Sequence, residues 1–211
     1  MTTRRTQSRR DTRREQELEL RRRDVLAAAI VVFSEKGFQG AQVAEIANAA
    51  EVSLNTVYGL FKGKEELYEA VIHEAITTVR DRVLDRVEAI ADPAERLLAV
   101  IDALFDCFDE HRHLLQIYAR TTHGLPWRVR QAMGADSLEL FQGFTVWVVG
   151  IAKQARRAGR FGHLDPETLA LSLIGAVTTT AARWVESPRR EALASQAPKV
   201  RAVFEALLTQ P

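Results

Sequence analysis

The sequence predicts an all-α protein of about nine helices, with an N-terminal three-helix head containing a helix-turn-helix and a C-terminal helical bundle. Three observations predict it. Alanine, leucine, arginine and glutamate dominate the 211 residues, and all are good helix formers; six prolines and eleven glycines are too few for a sandwich. Apolar residues recur at i, i+3, i+4 and i+7 through most of the chain. Asp92-Pro93 and Asp165-Pro166 each place a capping carboxylate before a proline, the pattern of a helix start. Apolar residues make up 46% of the chain, enough for a sizeable core.

In chain order, residues 1–20 lack apolar periodicity and read as a basic disordered arm. A helix follows from Arg22, with Leu26, Ile30 and Phe33 on one face, and Gly37 ends it in the C-cap role. A second helix spans about Gln42 to Ala50, with Val43, Ile46, Ala47 and Ala50 inward. A third starts at Ser53, a good N-cap, and turns Val57 and Phe61 inward. Lys64 opens a long fourth helix with Leu67, Val71, Ala75, Val79 and Val83 on one side. After Asp92-Pro93 a helix runs to about Glu110, and a shorter one runs from His111 to Thr122, ending near Gly124. Pro126 is expected to start a long helix that ends near Gly159. A helix from Asp165 reaches about Glu186, and Ser187-Pro188 separates a last one, best defined from Lys199 to Leu208. The domain reading is residues 1–20 as arm, 21–66 as head and 67–211 as body.

Charge is unevenly placed. Residues 1–23 hold nine arginines against Asp11, Glu15, Glu17 and Glu19, a net +5, while the whole chain is only +1. A basic arm on a near-neutral body suits a polyanion. The single cysteine, Cys107, cannot close an intramolecular disulfide, so no secreted scaffold is implied. The most apolar stretch, Leu138 to Ile151, is shorter than the ~20 residues of a membrane span. A soluble cytoplasmic protein with no membrane partner is expected.

Two short helices joined by a tight turn make a helix-turn-helix, whose second helix enters the major groove and reads bases with its N-terminal residues. The exposed start here is Leu54, Asn55 and Thr56. Asparagine can hold adenine through both edge atoms, and threonine can meet a phosphate or a thymine methyl. Ser53 caps this helix, and Gln42 opens the helix before it. The Tyr58 hydroxyl is placed for the DNA backbone, and Lys64 stands at a helix N-terminus that already favours an anion.

The string IANAAEVSLNTVYGLFKGKEEL, residues 46–67, resembles the DNA-binding signature of TetR-type transcriptional regulators. Ile46, Ala47, Ala50, Val52, Ser53, Val57, Tyr58, Phe61, Lys64, Glu65 and Leu67 all match it, and the lead-in FSEKGF is also typical. The resemblance implies a homodimer on double-stranded operator DNA, with a DNA-binding head and a ligand-binding and dimerisation body on each subunit. It also implies repression relieved by a small molecule. Gln42, Ser53, Leu54, Asn55, Thr56, Tyr58 and Lys64 are then the DNA-binding set, with Tyr58 and Lys64 on phosphates and Leu54, Asn55 and Thr56 at base edges. Three departures bear on operator affinity. Ala41 stands where a capping threonine is usual before the second helix. Glu51 replaces the turn glycine, and strain of order 1 kcal/mol follows if it is left-handed. Gly59 follows Tyr58 where a histidine or tyrosine is common. The arginine arm is expected to compensate by entering a minor groove or lying along the backbone.

In the body, Phe105, Phe108, Tyr118, His123, Trp127, Phe144 and Trp147 are the candidate ligand-binding residues, with His123, Gly124, Pro126 and Trp127 at a helix junction where pockets often open. Few charges point into these faces, so an apolar or aromatic effector is expected. No cofactor and no metal is expected. Glu110 and His113 form one E-x-x-H pair where a di-iron bundle needs two, and no phosphate loop or nucleophile elbow occurs. Gly175, Ala176 and Thr178 to Ala182 allow close helix approach, and the last helix offers Val200, Val203, Phe204 and Leu207. Homodimerisation through the last two helices is expected. The rival reading is a helical-bundle enzyme or small-molecule carrier with a vestigial DNA-binding head.

Overall fold

The computed structural model describes residues 2–122, 134–162, 164–186 and 191–208. Among them are nine α-helices, one 3-10 turn and no strand. The helices are α1 (Thr2–Gly40), α2 (Val43–Ala49), α3 (Leu54–Leu60), α4 (Lys64–Val87), α5 (Pro93–Glu110), α6 (Arg112–Thr122), α7 (Ala135–Arg157), α8 (Pro166–Glu186) and α9 (Ala197–Leu208). The chain divides into a compact head, residues 1–71, and a compact body, residues 72–211.

The head packs α1 on α2 and α2 on α3. Its core is Val25, Ala29, Phe33, Ala41, Ile46, Ala47, Val57, Phe61, Leu67 and Val71, all buried. The Tyr68 ring meets Phe33 edge-on at 4.9 Å and lies 5.0 Å from Phe38. Arg22 lies over the Phe61 ring at 4.4 Å and donates to the Leu60 carbonyl, tying α1 to the end of α3.

Two expectations are corrected here. The arm is not disordered, because α1 runs unbroken from Thr2 into the head. Arg13–Glu17 and Glu19–Arg23 sit one turn apart as ion pairs and support helix where apolar periodicity is lacking. Gly37 ends the regular part of α1 as expected, its φ of 69° being a conformation that glycine takes freely, and a short turn continues to Gly40. The N-cap of α2 is Gln42, not Ala41, which is a buried core residue. No hydroxyl is therefore missing at position 41. The Glu45 carboxylate accepts from the Gln42 N–H (3.3 Å) and from Lys36 Nζ (2.6 Å), and the Lys36 contact, then Gln42, holds its pKa below the usual range.

In the body, α5 is the central helix, packed against α7, α8 and α9. Asp92 caps it by accepting from the Ala94 and Glu95 N–H groups, and Asp165 caps α8 by accepting from Thr168. These bonds lower both carboxyl pKa values, for Asp92 first the Glu95 N–H and for Asp165 first the Thr168 N–H. Groups depressed in this way stabilise the fold fully above the ordinary carboxylate range, and that contribution is lost as pH falls through the lowered values. Arg201 on α9 donates to Glu95 and Asp102 of α5 and to Glu205, at 2.6, 2.5 and 2.7 Å. The long seventh helix is described from Ala135, after an extended Gly134; the expected start at Pro126 lies outside the described residues. The Ser187-Pro188 boundary also lies outside them. Helix α8 is apolar enough by length and composition to cross a membrane, but its buried residues pack into the body core.

Cys107 is buried on α5, and burial pushes its thiol up to about 11. The thiolate is the reactive form, so iodoacetamide at pH 7 is expected to alkylate the folded protein slowly and the urea-unfolded protein at the ordinary rate. Equal rates would contradict the burial.

Candidate nucleic-acid interface and apolar cavity

The turn between α2 and α3 is four residues long. Glu51 takes φ 55°, the left-handed conformation that a glycine adopts without cost, and the Val52 N–H donates to the Ala47 carbonyl at 3.0 Å. A non-glycine residue there stores strain of order 1 kcal/mol. Ser53 then caps α3, its hydroxyl accepting from the Thr56 N–H at 3.1 Å.

Val57 and Phe61 anchor one face of α3 at 1% exposure each, which leaves the opposite face in solvent. Asn55 lies on that face, and Leu54 (40% exposed) and Tyr58 (51% exposed) flank it. An exposed leucine and an exposed tyrosine on a seven-residue helix present large apolar groups to solvent. Gln42 and Ser53 are also exposed. Thr56 is half-buried and its hydroxyl bonds the Ser53 hydroxyl at 2.8 Å, which makes it part of the cap. Lys64 reaches back to the Gln39 carbonyl (3.3 Å) and lies 4.8 Å from the Phe38 ring centroid. The lysine is thus held at the joint between α1 and α4. A Cβ at Gly59 would meet nothing within 4 Å, so no packing demand puts glycine there.

The body holds an apolar cavity of about 80 Å³. Helix α4 supplies Ala75, Ile76, Val79 and Arg80, and α5 to α8 supply the rest, including Phe108, Tyr118, Phe144 and Ile174. Three of the seven residues expected from sequence therefore line it: Phe108, Tyr118 and Phe144. Phe105 does not, being fully buried in the core cluster. Trp147 also packs on that cluster, 5.7 Å from Phe144. His123 and Trp127 lie outside the described residues. The sequence reading missed the aliphatic wall. The repeat of Ala75, Val79 and Val83 along α4 was its signal, since only Val83 of the three is fully covered.

Beside the cavity opens a trough of about 450 Å³ lined by His73, Arg80, Asp136, Glu139, Leu140, Gly143 and Phe144. Arg80 and Phe144 border both spaces, so an apolar chamber and a polar mouth share a wall. Arg80 is engaged with Asp81 at 2.8 Å. No cluster of three or more metal-ligating side chains occurs among the described residues.

Residues 25–71 match the family described as bacterial regulatory proteins, tetR family. The regulator BetI of Klebsiella pneumoniae is 35% identical over 89 residues, and this chain spans about half of it (46%), with 41% of this chain aligned. The repressor KstR2 of Mycobacterium tuberculosis is 26% identical over 78% of this chain and 80% of its own length. The structure of FadR from Bacillus subtilis in complex with stearoyl-CoA superposes with a TM-score of 0.74 at 23% identity, covering 88% of this chain and 97% of that one. Residues 25–71 thus carry the tetR-family module, as a helix-turn-helix whose capped second helix is exposed, and the chain as a whole shares its fold with the FadR structure.

Proposed function

We propose that this protein is a ligand-responsive repressor that leaves its operator when a small apolar effector enters the body cavity. One observation carries the reading: α4 is a single helix that begins at Lys64 in the head and lines the cavity with Ala75, Ile76, Val79 and Arg80. A change in cavity volume is therefore also a change along the helix that ends the DNA-binding unit. Tyr58 and Lys64 meet phosphates, and Leu54 and Asn55 meet base edges, with Gln42, Ser53 and Thr56 fixing the two helix starts. The protein acts in the cytoplasm as a homodimer through α8 and α9. The exposed Leu171 and Val203 on those helices support this, whereas Val200 and Phe204 are buried within their own subunit. Two heads then address successive major grooves about 34 Å apart.

The effector is an acyl-type chain with a polar head. The wall of the cavity is apolar, its neighbour is a polar trough, and FadR holds stearoyl-CoA. At about 80 Å³ the cavity is half the ~150 Å³ that takes a benzene ring, so a long chain must widen it. That widening, between α4 and α7, is the step that couples effector to operator. A coupling of 1–3 kcal/mol corresponds to about 5- to 150-fold in affinity.

Fluorescence anisotropy on DNA preceding the protein's own gene tests this, with acyl-CoA thioesters of increasing chain length as titrants. Tight, salt-sensitive operator binding released by one range of chain lengths is expected. An acyl-CoA that binds while operator affinity stays unchanged would overturn the reading. Weak DNA binding equal on all sequences would favour a carrier with a vestigial head.

A further inference from the structure

The arm is a helix, and a helix sorts its charges by face. At about 100° per residue, Arg13, Arg14 and Arg21 fall within one arc of roughly 100°, all exposed. The backbone positions of Arg9 and Arg10 fall in or beside the same arc, one turn earlier. Two carboxylates share that arc, Glu17, which is paired with Arg13, and the exposed Asp24. Asp11, Glu15 and Glu19 occupy positions on the opposite side. The head's buried face, where Val25, Ala29 and Phe33 pack, begins beside the arginine arc at Val25 and turns away from it toward Phe33. The arginines themselves are exposed, which leaves the stripe open to a partner along its outer edge. Arg22 is excluded from it, being committed to Leu60 and Phe61.

We infer that α1 before the head is a rigid basic rod that lies along the phosphates flanking the operator, outside both grooves. The inference rests on the DNA-binding reading of the head and adds a second, sequence-independent contact to it. Width decides the placement. An α-helix with side chains is about 10–12 Å across, whereas the minor groove is about 6 Å wide. A disordered arginine tail would enter that groove, but this helix cannot. Twenty residues at 1.5 Å each give a reach of about 30 Å, against one phosphate charge per ~1.7 Å of duplex axis. The stripe thus faces many more phosphates than it has arginines. Exposed pairs such as Arg13–Glu17 are weak enough to exchange for phosphate.

The test uses the full-length protein and two 40-base-pair duplexes, one from the DNA preceding its own gene and one of scrambled sequence. Replacing Arg13, Arg14 and Arg21 together by Gln is expected to flatten the plot of log affinity against log salt by about 2–3, since each phosphate contact carries about 0.9. The loss is expected to be equal on both duplexes, so operator preference is retained. A second variant, Gln16→Pro, keeps every arginine but breaks the helix, and it is expected to flatten the slope as well. An unchanged slope in the triple variant overturns the inference. An unchanged slope in Gln16→Pro overturns the rigid rod and leaves charge alone. A change of oligomeric state in the triple variant, with the slope intact, would assign the stripe to a second copy and also overturn it. These outcomes are distinct from failure of the repressor reading, which would appear as no preference for either duplex in the wild-type protein.

Discussion

Asn55→Ala is expected to lower operator affinity tenfold or more while leaving affinity for scrambled DNA unchanged. Asn55 sits exposed in the first turn of α3, and the Ser53 cap fixes that turn. A carboxamide so placed can pair with both edge atoms of an adenine, an interaction that discriminates by about 1–3 kcal/mol. Alanine removes both bonds and keeps the helix, since alanine is the better helix former. Tyr58→Phe provides the contrast. It removes one hydroxyl from an exposed ring, and a lost phosphate contact weakens all sequences alike. Anisotropy on operator and scrambled duplexes at one salt concentration separates the two. If Asn55→Ala weakened both duplexes equally, the base-reading role would be wrong.

Phe105→Ala is expected to destabilise the protein by about 3–5 kcal/mol without weakening the effector site. The ring is 0% exposed on the central helix α5, within the main core cluster, and it does not reach the cavity wall. At about 2–4 °C of Tm per kcal/mol for a chain of this size, the loss is large and easily read. Phe108, one turn away by position, borders the cavity. Phe108→Ala enlarges that space, so its signature is altered chain-length preference. Urea unfolding together with acyl-CoA titration of both variants checks the division. A tenfold loss of effector affinity in folded Phe105→Ala would return Phe105 to the site.

The helix starts were the most legible features, because their causes are local. Asp92-Pro93 and Asp165-Pro166 cap where their spacing says, and Ser53 caps α3. The start of α2 was misplaced by one residue, since Ala41 is buried and Gln42 does the capping. Single-residue errors at helix ends are inherent to pattern reading. The arm was misjudged for a different reason. Its arginines and glutamates carry no apolar period, but residues four apart pair along a helix, and that period belongs to charge. The cavity was half legible. Periodicity shows that Ala75 and Val79 turn inward; it does not show whether an inward residue meets another side chain or empty space. That depends on which residues of α5 to α8 arrive opposite, and no single helix records it. Aromatic size drew attention to Phe105, whose bulk fills the core, and away from Ile76 and Ile174, which line the cavity.

The apolar cavity also makes the body compressible in a specific way. About 80 Å³ per molecule is roughly 50 mL per mole, inside the ~20–100 mL/mol by which proteins commonly shrink on unfolding. Hydrostatic pressure therefore pushes this body toward states in which the space is lost to water. An effector that occupies the space removes that volume difference. Compression and an effector thus act in opposite directions on one cavity, and the cavity's volume is itself a thermodynamic variable of the body.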